Sequence, residues 1–167
     1  LFFNQTGSQN VALGALALYG NTQGSNNIAL GYAMNQNQSG SFNTAAGNGA
    51  LGLNVAGSDN TALGTGSLGH NLVDENVALG SWSLHSNTTG EQNTGIGSFA
   101  LFSNSTSSSL TAVGFRALSA NAEGLRNSAL GAQALTENVS GNDNTAVGTN
   151  ALAWNTIASG NTAIGSD

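Results

Sequence analysis

N-T-A-V-G-T-N-A-L-A-W-N-T-I-A-S-G, from Asn144 to Gly160, is followed at once by N-T-A-I-G from Asn161 to Gly165, so the chain restarts its own pattern after 17 residues. The same frame runs back to Leu1. With the unit numbered 1 to 17, coils begin at Asn10, Asn27, Asn43, Asn60, Asn76, Asn93, Leu110, Asn127, Asn144 and Asn161. Gly fills position 5 in every copy, at Gly14, Gly31, Gly47, Gly64, Gly80, Gly97, Gly114, Gly131, Gly148 and Gly165. Asn fills position 12, at Asn4, Asn21, Asn37, Asn54, Asn71, Asn87, Asn104, Asn121, Asn138 and Asn155. Position 9 is Leu or Met, position 3 is Ala apart from Gly95, and position 8 is Ala or Ser. Two copies are a residue short, one just after Gly31 and one near Asp74, both where a turn is expected. A fixed period in the solenoid range overrides the one-ordinary-domain expectation that length alone would give.

Positions 1 to 5 alternate. Position 2 is Val, Ile, Thr or Ser and position 4 is Leu, Ile or Val with one Ala, while Ala and Gly lie between and after them. Period 2 marks a short strand, and a second short strand is expected around positions 7 to 11, anchored by the Leu at position 9. Helices fit badly, because the Gly and Asn columns penalise a helix interior. The expected fold is all-β, a parallel β-solenoid or β-roll of about ten 17-residue coils. At about 4.8 Å per coil it makes a rod on the order of 50 Å long. Gly at position 5 serves corners that need positive φ or close backbone approach. Asn at position 12 tolerates left-handed backbone and can ladder with its neighbours.

With positions 2, 4 and 9 inward, each coil has a thin core for the backbone it must order. Two stripes of small side chains are then left outside, at positions 3 and 8. The first comprises Ala12, Ala29, Ala45, Ala62, Ala78, Ala112, Ala129, Ala146 and Ala163. It is expected to pack against another chain in an obligate oligomer whose axis follows the rod. The alternative reading is that this Ala fills a tight interior corner.

Net charge is −6, and Arg116 and Arg126 are the only Lys or Arg residues, so no basic patch neutralises phosphates and nucleic acid is not an expected partner. The lack of Cys rules out disulfides and thiolate metal sites. No apolar run is long enough to cross a bilayer, and no signal peptide is seen, so membrane insertion by this stretch is not expected. Residues 1–167 are read as a single repeat domain, a segment of a longer fibre.

The motif N-T-A-[VIL]-G-x-x-A-L-x-x-N-x-x-G resembles the head repeats of YadA-like trimeric autotransporter adhesins and, more closely, longer repeats of bacterial and phage fibre proteins. The resemblance covers the whole chain. It implies a left-handed parallel β-roll trimerised along its axis, extracellular at a cell surface or on a virion. It also implies that Val147 lies inside the roll and that Ala146 faces the trimer interior. The unit is longer than the usual YadA head repeat, and no neck, coiled-coil stalk or membrane anchor is present.

Ionisable groups avoid the regular columns. Asp59, Asp74, Glu75, Glu91, Glu123 and Asp143 fall at positions 14 to 17 and Glu137 at position 11, as solvated turn residues. His70 and His85 lie about one coil apart without a visible third ligand. No Ser occupies a nucleophile elbow, and the Gly-rich stretches follow the fold period, not a phosphate-binding fingerprint. No catalytic residue, metal ligand or cofactor is assigned. Asn4, Asn87, Asn104 and Asn138 begin formal N-glycosylation sequons. Aromatic side chains gather at positions 6 to 7 and 10 to 11, where Trp82, Phe99, Phe102 and Trp154 are candidate surface contacts. They either form an adhesive or glycan-stacking surface or pack across the edge of the roll.

The expected function is a non-enzymatic fibre shaft or head, of an adhesin or a phage tail fibre, that attaches to a host protein or glycan. The alternative is a carbohydrate- or ice-binding solenoid. Ice binding calls for an outward Thr array, whereas the position 2 column is expected to face inward. That reading gains if Thr44, Thr61, Thr94 and Thr111 face solvent.

Overall fold

The computed structural model describes residues 1–166. It contains ten strands of three residues: β1 (Val11–Leu13), β2 (Ile28–Leu30), β3 (Thr44–Ala46), β4 (Thr61–Leu63), β5 (Val77–Leu79), β6 (Thr94–Ile96), β7 (Thr111–Val113), β8 (Ser128–Leu130), β9 (Thr145–Val147) and β10 (Thr162–Ile164). They form one parallel sheet in sequence order. Register is column on column: Ala45 pairs with Ala62, Gly95 with Ala112, and Ala146 with Ala163. Each coil therefore contributes one strand at positions 2 to 4 and stacks on the next, making the expected β-solenoid.

The second strand does not form. Positions 6 to 12 make a run of turns that stack between coils. Amide donors alternate between the same coil and the next: Ala117 N–H donates to Gly114 O at 3.3 Å, Leu118 N–H to Ala134 O at 3.0 Å, Ser119 N–H to Arg116 O at 3.3 Å, and Ala120 N–H to Thr136 O at 3.0 Å. Left-handed residues at positions 7 and 9 produce this path, as at Trp82 (φ 60°) and Leu84 (φ 49°). Such backbone costs an L-residue about 1–2 kcal/mol, and the stacked bonds and burial of Leu must offset it. One gain is geometric. A left-handed step breaks strand alternation, so neighbours at positions 8 and 9 both face inward, as do Ala50 and Leu51 or Ala117 and Leu118.

The strand face is inverted relative to the sequence expectation. Ala29, Ala45, Ala62, Ala78, Ala112, Ala129 and Ala146 are buried inside the roll, with Ala12 and Ala163 partly covered at its two ends. Position 8 is buried as well. Positions 2 and 4 face outward, with Leu13 70 %, Leu30 39 % and Leu130 51 % exposed. Val147, expected inside, lies on the outer face, and Ala146 is interior. The alternative reading of the Ala column is therefore the correct one, and these residues cannot form the stripe that meets another chain.

Space explains the inversion. The sheet lies directly over the position 8 and 9 side chains, and the gap accepts a methyl group and little more. At Gly95 even a Cβ would come within 2.6 Å of Ser83 Oγ and 3.3 Å of Leu84 Cγ. Ser83 Oγ donates to the Gly95 carbonyl at 2.8 Å. The single Gly in the Ala column thus sits where a hydroxyl has taken the methyl's place.

Candidate functional site

The corners are built from the Gly and Asn columns. Gly97 has φ 125°, and a Cβ there would approach the Gly114 carbonyl oxygen to 2.5 Å, so both conformation and stacking distance call for Gly. Asn at position 12 is buried along the rod, from Asn21 to Asn138. From Asn21 onward, apart from Asn71, each side-chain amide donates twice. Asn104 Nδ2 donates to Asn87 Oδ1 of the preceding coil at 3.0 Å and to its own coil's Ser107 O at 3.0 Å. The ladder breaks once, at the shortened coil: Asn71 Nδ2 turns to Val73 O at 2.6 Å, and Asn54 Oδ1 is left buried without a partner. Asn87, Asn104 and Asn138 are buried rungs of this ladder, as is Asn37, which opens a further formal sequon with Gln38 and Ser39, so four of these sequons are spent on structure, while Asn4 is exposed.

A second Asn ladder carries a role that the sequence reading left unassigned. At position 1, Asn43 Oδ1 accepts the Asn60 amide N–H at 3.0 Å, and Asn43 Nδ2 donates to Gly57 O at the end of its own coil at 2.8 Å. Position 1 Asn residues such as Asn27, Asn60 and Asn93 are fully buried. The near-invariance of this column, broken by Leu110, was the available signal.

Two outer surfaces remain. The first is the sheet face, where columns 2 and 4 run side by side for ten strands. Column 2 mixes Thr44, Thr61, Thr94, Thr111 and Thr145 with Val11, Ile28 and Val77, and column 4 is Leu, Ile, Val or Ala. The Thr residues face outward, contrary to expectation, and are partly exposed or, for Thr111, exposed.

The second lies on the turn segment, where columns 7 and 10 carry the aromatic groups. Trp82 and Phe99 occupy adjacent coils, and each packs against column 10: Trp82 edge-on to His85 at 4.5 Å between centroids, Phe99 to Phe102 at 5.5 Å. His85 stacks on Phe102 at 5.9 Å. Trp82 is 37 % and Trp154 82 % exposed. His70 and His85 are neighbours, with ring centroids 4.5 Å apart. Burial first, and the neighbouring His85 second, holds His70 below the ordinary imidazole pKa. Among the described residues no three His, Cys, Asp or Glu side chains converge as a metal site.

The carboxylates lie on the outer turns. Asp143 and Arg126, stacked at position 17 of consecutive coils, form an exposed ion pair at 2.7 Å. Their mutual hydrogen bond lowers the Asp143 pKa and raises that of Arg126. Asp74 Oδ1 accepts the Ser58 amide N–H at 2.7 Å, taking the place of the Ser hydroxyl that does this in other coils, as Ser58 Oγ does for Ser41 N–H at 3.1 Å.

Comparison with family models, curated proteins and solved structures finds no match. The functional reading therefore stands on the two outer surfaces.

Proposed function

We propose that the chain is a non-enzymatic segment of an extracellular attachment fibre, self-associating through the outer face of its sheet into a homotrimer. The observation that carries this reading is the continuous double column of outward aliphatic and Thr side chains at positions 2 and 4. Val11, Leu13, Ile28, Leu30, Leu63 and Leu130 are 39–70 % exposed there. A contiguous apolar strip of this kind favours a protein partner over solvent, and an in-register strip repeated coil by coil fits a copy of itself along a shared axis. The three-fold arrangement and the adhesin or phage-fibre setting rest on the resemblance of the repeat motif.

The test is native mass measurement or light scattering at low micromolar concentration, on the unmodified chain and on L30E, L63E and L130E together. The unmodified chain should be trimeric and the triple variant monomeric with unchanged circular dichroism, because carboxylates have no partner in an apolar interface. A stable monomer of the unmodified chain sinks the proposal.

One observation supports a second reading. Thr44, Thr61, Thr94 and Thr111 point outward on the same face of one in-register parallel sheet, the outward Thr array that ice binding calls for. Interruption by Ile28 and Val77 and the large aliphatic groups beside them favour assembly. Thermal hysteresis from a monomeric chain would reverse that preference.

A further inference from the structure

We propose that a hollow on the turn segment, between the coils of Tyr32 and Trp82, binds a neutral oligosaccharide. Column 7 runs Gly49, Gly66, Trp82, and column 10 runs Asn35, Gly52, Gly69, His85; in the shortened coil before them Tyr32 sits at position 6, where its carbonyl accepts the Gly49 N–H at 2.8 Å. Two consecutive coils thus lack side chains in both columns. They leave a depression of about 470 Å³, within the range of small-ligand sites.

The glycines in the two columns sit in different backbone. Gly49 and Gly66 have φ 73° and 66°, a left-handed backbone that Gly adopts without strain but that Trp82, Phe99 and Arg116 also adopt at the same position. Gly52 and Gly69 are not among the positive-φ residues. Tyr19, Phe102 and Thr136 fill column 10 in other coils, so the backbone there accepts large side chains. What Gly69 permits is the approach of His85: a Cβ would lie 2.6 Å from its Nδ1. The Nδ1–H donates to the Gly66 carbonyl at 2.8 Å, which fixes the ring and its tautomer. Trp82 leans over Gly66 in the same way, with Cε3 2.8 Å from where a Cβ would be.

The result is a rigid aromatic wall on one side and Tyr32 on the other, with Asn35, Gln36, Asn48 and Thr65 around the rim. Asn35 Nδ2 donates to the Tyr32 hydroxyl at 3.1 Å, which orients both groups. Aromatic faces can pack on the apolar C–H face of a pyranose, and amide and hydroxyl groups can pair with its hydroxyls in both donor and acceptor senses. None of the lining residues is Asp, Glu, Lys or Arg, so the hollow offers no fixed charge to an anionic or cationic ligand. The site goes beyond the assembly reading and does not depend on it, since columns 7 and 10 lie off the outer sheet face.

The experiment is a glycan array of neutral and anionic oligosaccharides probed with the full chain, followed by calorimetric titration with the best neutral binder. G52F fills the hollow at a column where Phe102 is tolerated, W82A removes the wall, and W154A alters a remote aromatic residue. Binding to a neutral oligosaccharide is expected, weakened at least about tenfold in G52F and W82A and unchanged in W154A. No neutral binder, binding restricted to anionic glycans, or equal affinity in G52F with folding confirmed by circular dichroism overturns the proposal. Mass measured on the same samples separates this outcome from assembly: a monomer that binds the sugar refutes the trimer and leaves the hollow's role standing.

Discussion

Asn104→Ala should be among the most damaging single changes that remove no carbon from the apolar core. Asn104 is fully buried. Its amide donates to Asn87 Oδ1 and Ser107 O, both at 3.0 Å, and its Oδ1 accepts a longer bond from Asn121 at 3.4 Å. Each well-formed bond contributes about 1 kcal/mol net. The substitution also leaves Asn87 Oδ1 buried without a donor, a further cost of about 1–3 kcal/mol. The sum is about 3–5 kcal/mol by the same reasoning. Two companions calibrate it. Asn155→Ala removes bonds of similar length to Asn138 Oδ1 and Ala158 O, but solvent reaches that end of the ladder, so the loss should be about 1 kcal/mol. Asn54→Ala also orphans one acceptor, Asn37 Oδ1, yet it deletes an oxygen that already lacks a partner. It should therefore cost less than Asn104→Ala by roughly 1 kcal/mol. Urea denaturation followed by circular dichroism measures all three, at fixed protein concentration and with slopes compared, because stacked repeats can unfold piecemeal. Equal losses at Asn104 and Asn155, or a loss at Asn104 below about 1 kcal/mol, would refute the ladder as a principal source of stability.

Gly97→Val should prevent the coil from closing, since it adds a branched side chain where φ is 125° and the Gly114 carbonyl lies 2.5 Å from the Cβ site. Ser108→Val gives up only the bond its hydroxyl accepts from Glu91 N–H at 3.0 Å on an exposed turn, about 1 kcal/mol. Soluble yield and circular dichroism of the two variants should differ sharply, and equal tolerance would count against the corner role of position 5. The lowered pKa of His70 has a definite sign: the folded chain resists the proton more than the unfolded chain, so stability falls as pH drops through and below 6.5. An NMR titration should place the His70 midpoint below 6.5, and His85→Gln should move it part of the way back, because burial is the larger cause and remains. A midpoint above 6.5 would contradict the packing of the two rings.

The repeat showed in the sequence because a solenoid places the same chemical demand on the same column in every coil. Gly97 and Asn104 were legible as corner residues since no other side chain meets both demands of their sites. The second strand was misread because Leu84 and Trp82 adopt left-handed backbone, a conformation that propensity assigns to Gly or Asn and that only stacking and burial sustain here. The hollow beside Trp82 was hidden for a related reason. Gly52 and Gly69 look like ordinary repeat variation until adjacent coils set them side by side between Tyr32 and His85.

The sequence by itself determined the period, the parallel stacking, the corners and the alternation of the strand, since each depends on residue type at fixed spacing. Only the tertiary structure decided which face of that strand is the inside. Alternation separates two faces without naming either, and hydrophobicity alone selects the larger Val, Ile and Leu as core. The gap beneath the sheet is filled by the position 8 and 9 side chains and leaves room for the methyl of Ala29 or Ala146 and nothing larger. The bigger aliphatic groups are thereby turned outward, which leaves a continuous aliphatic and Thr strip on the outer face of the sheet.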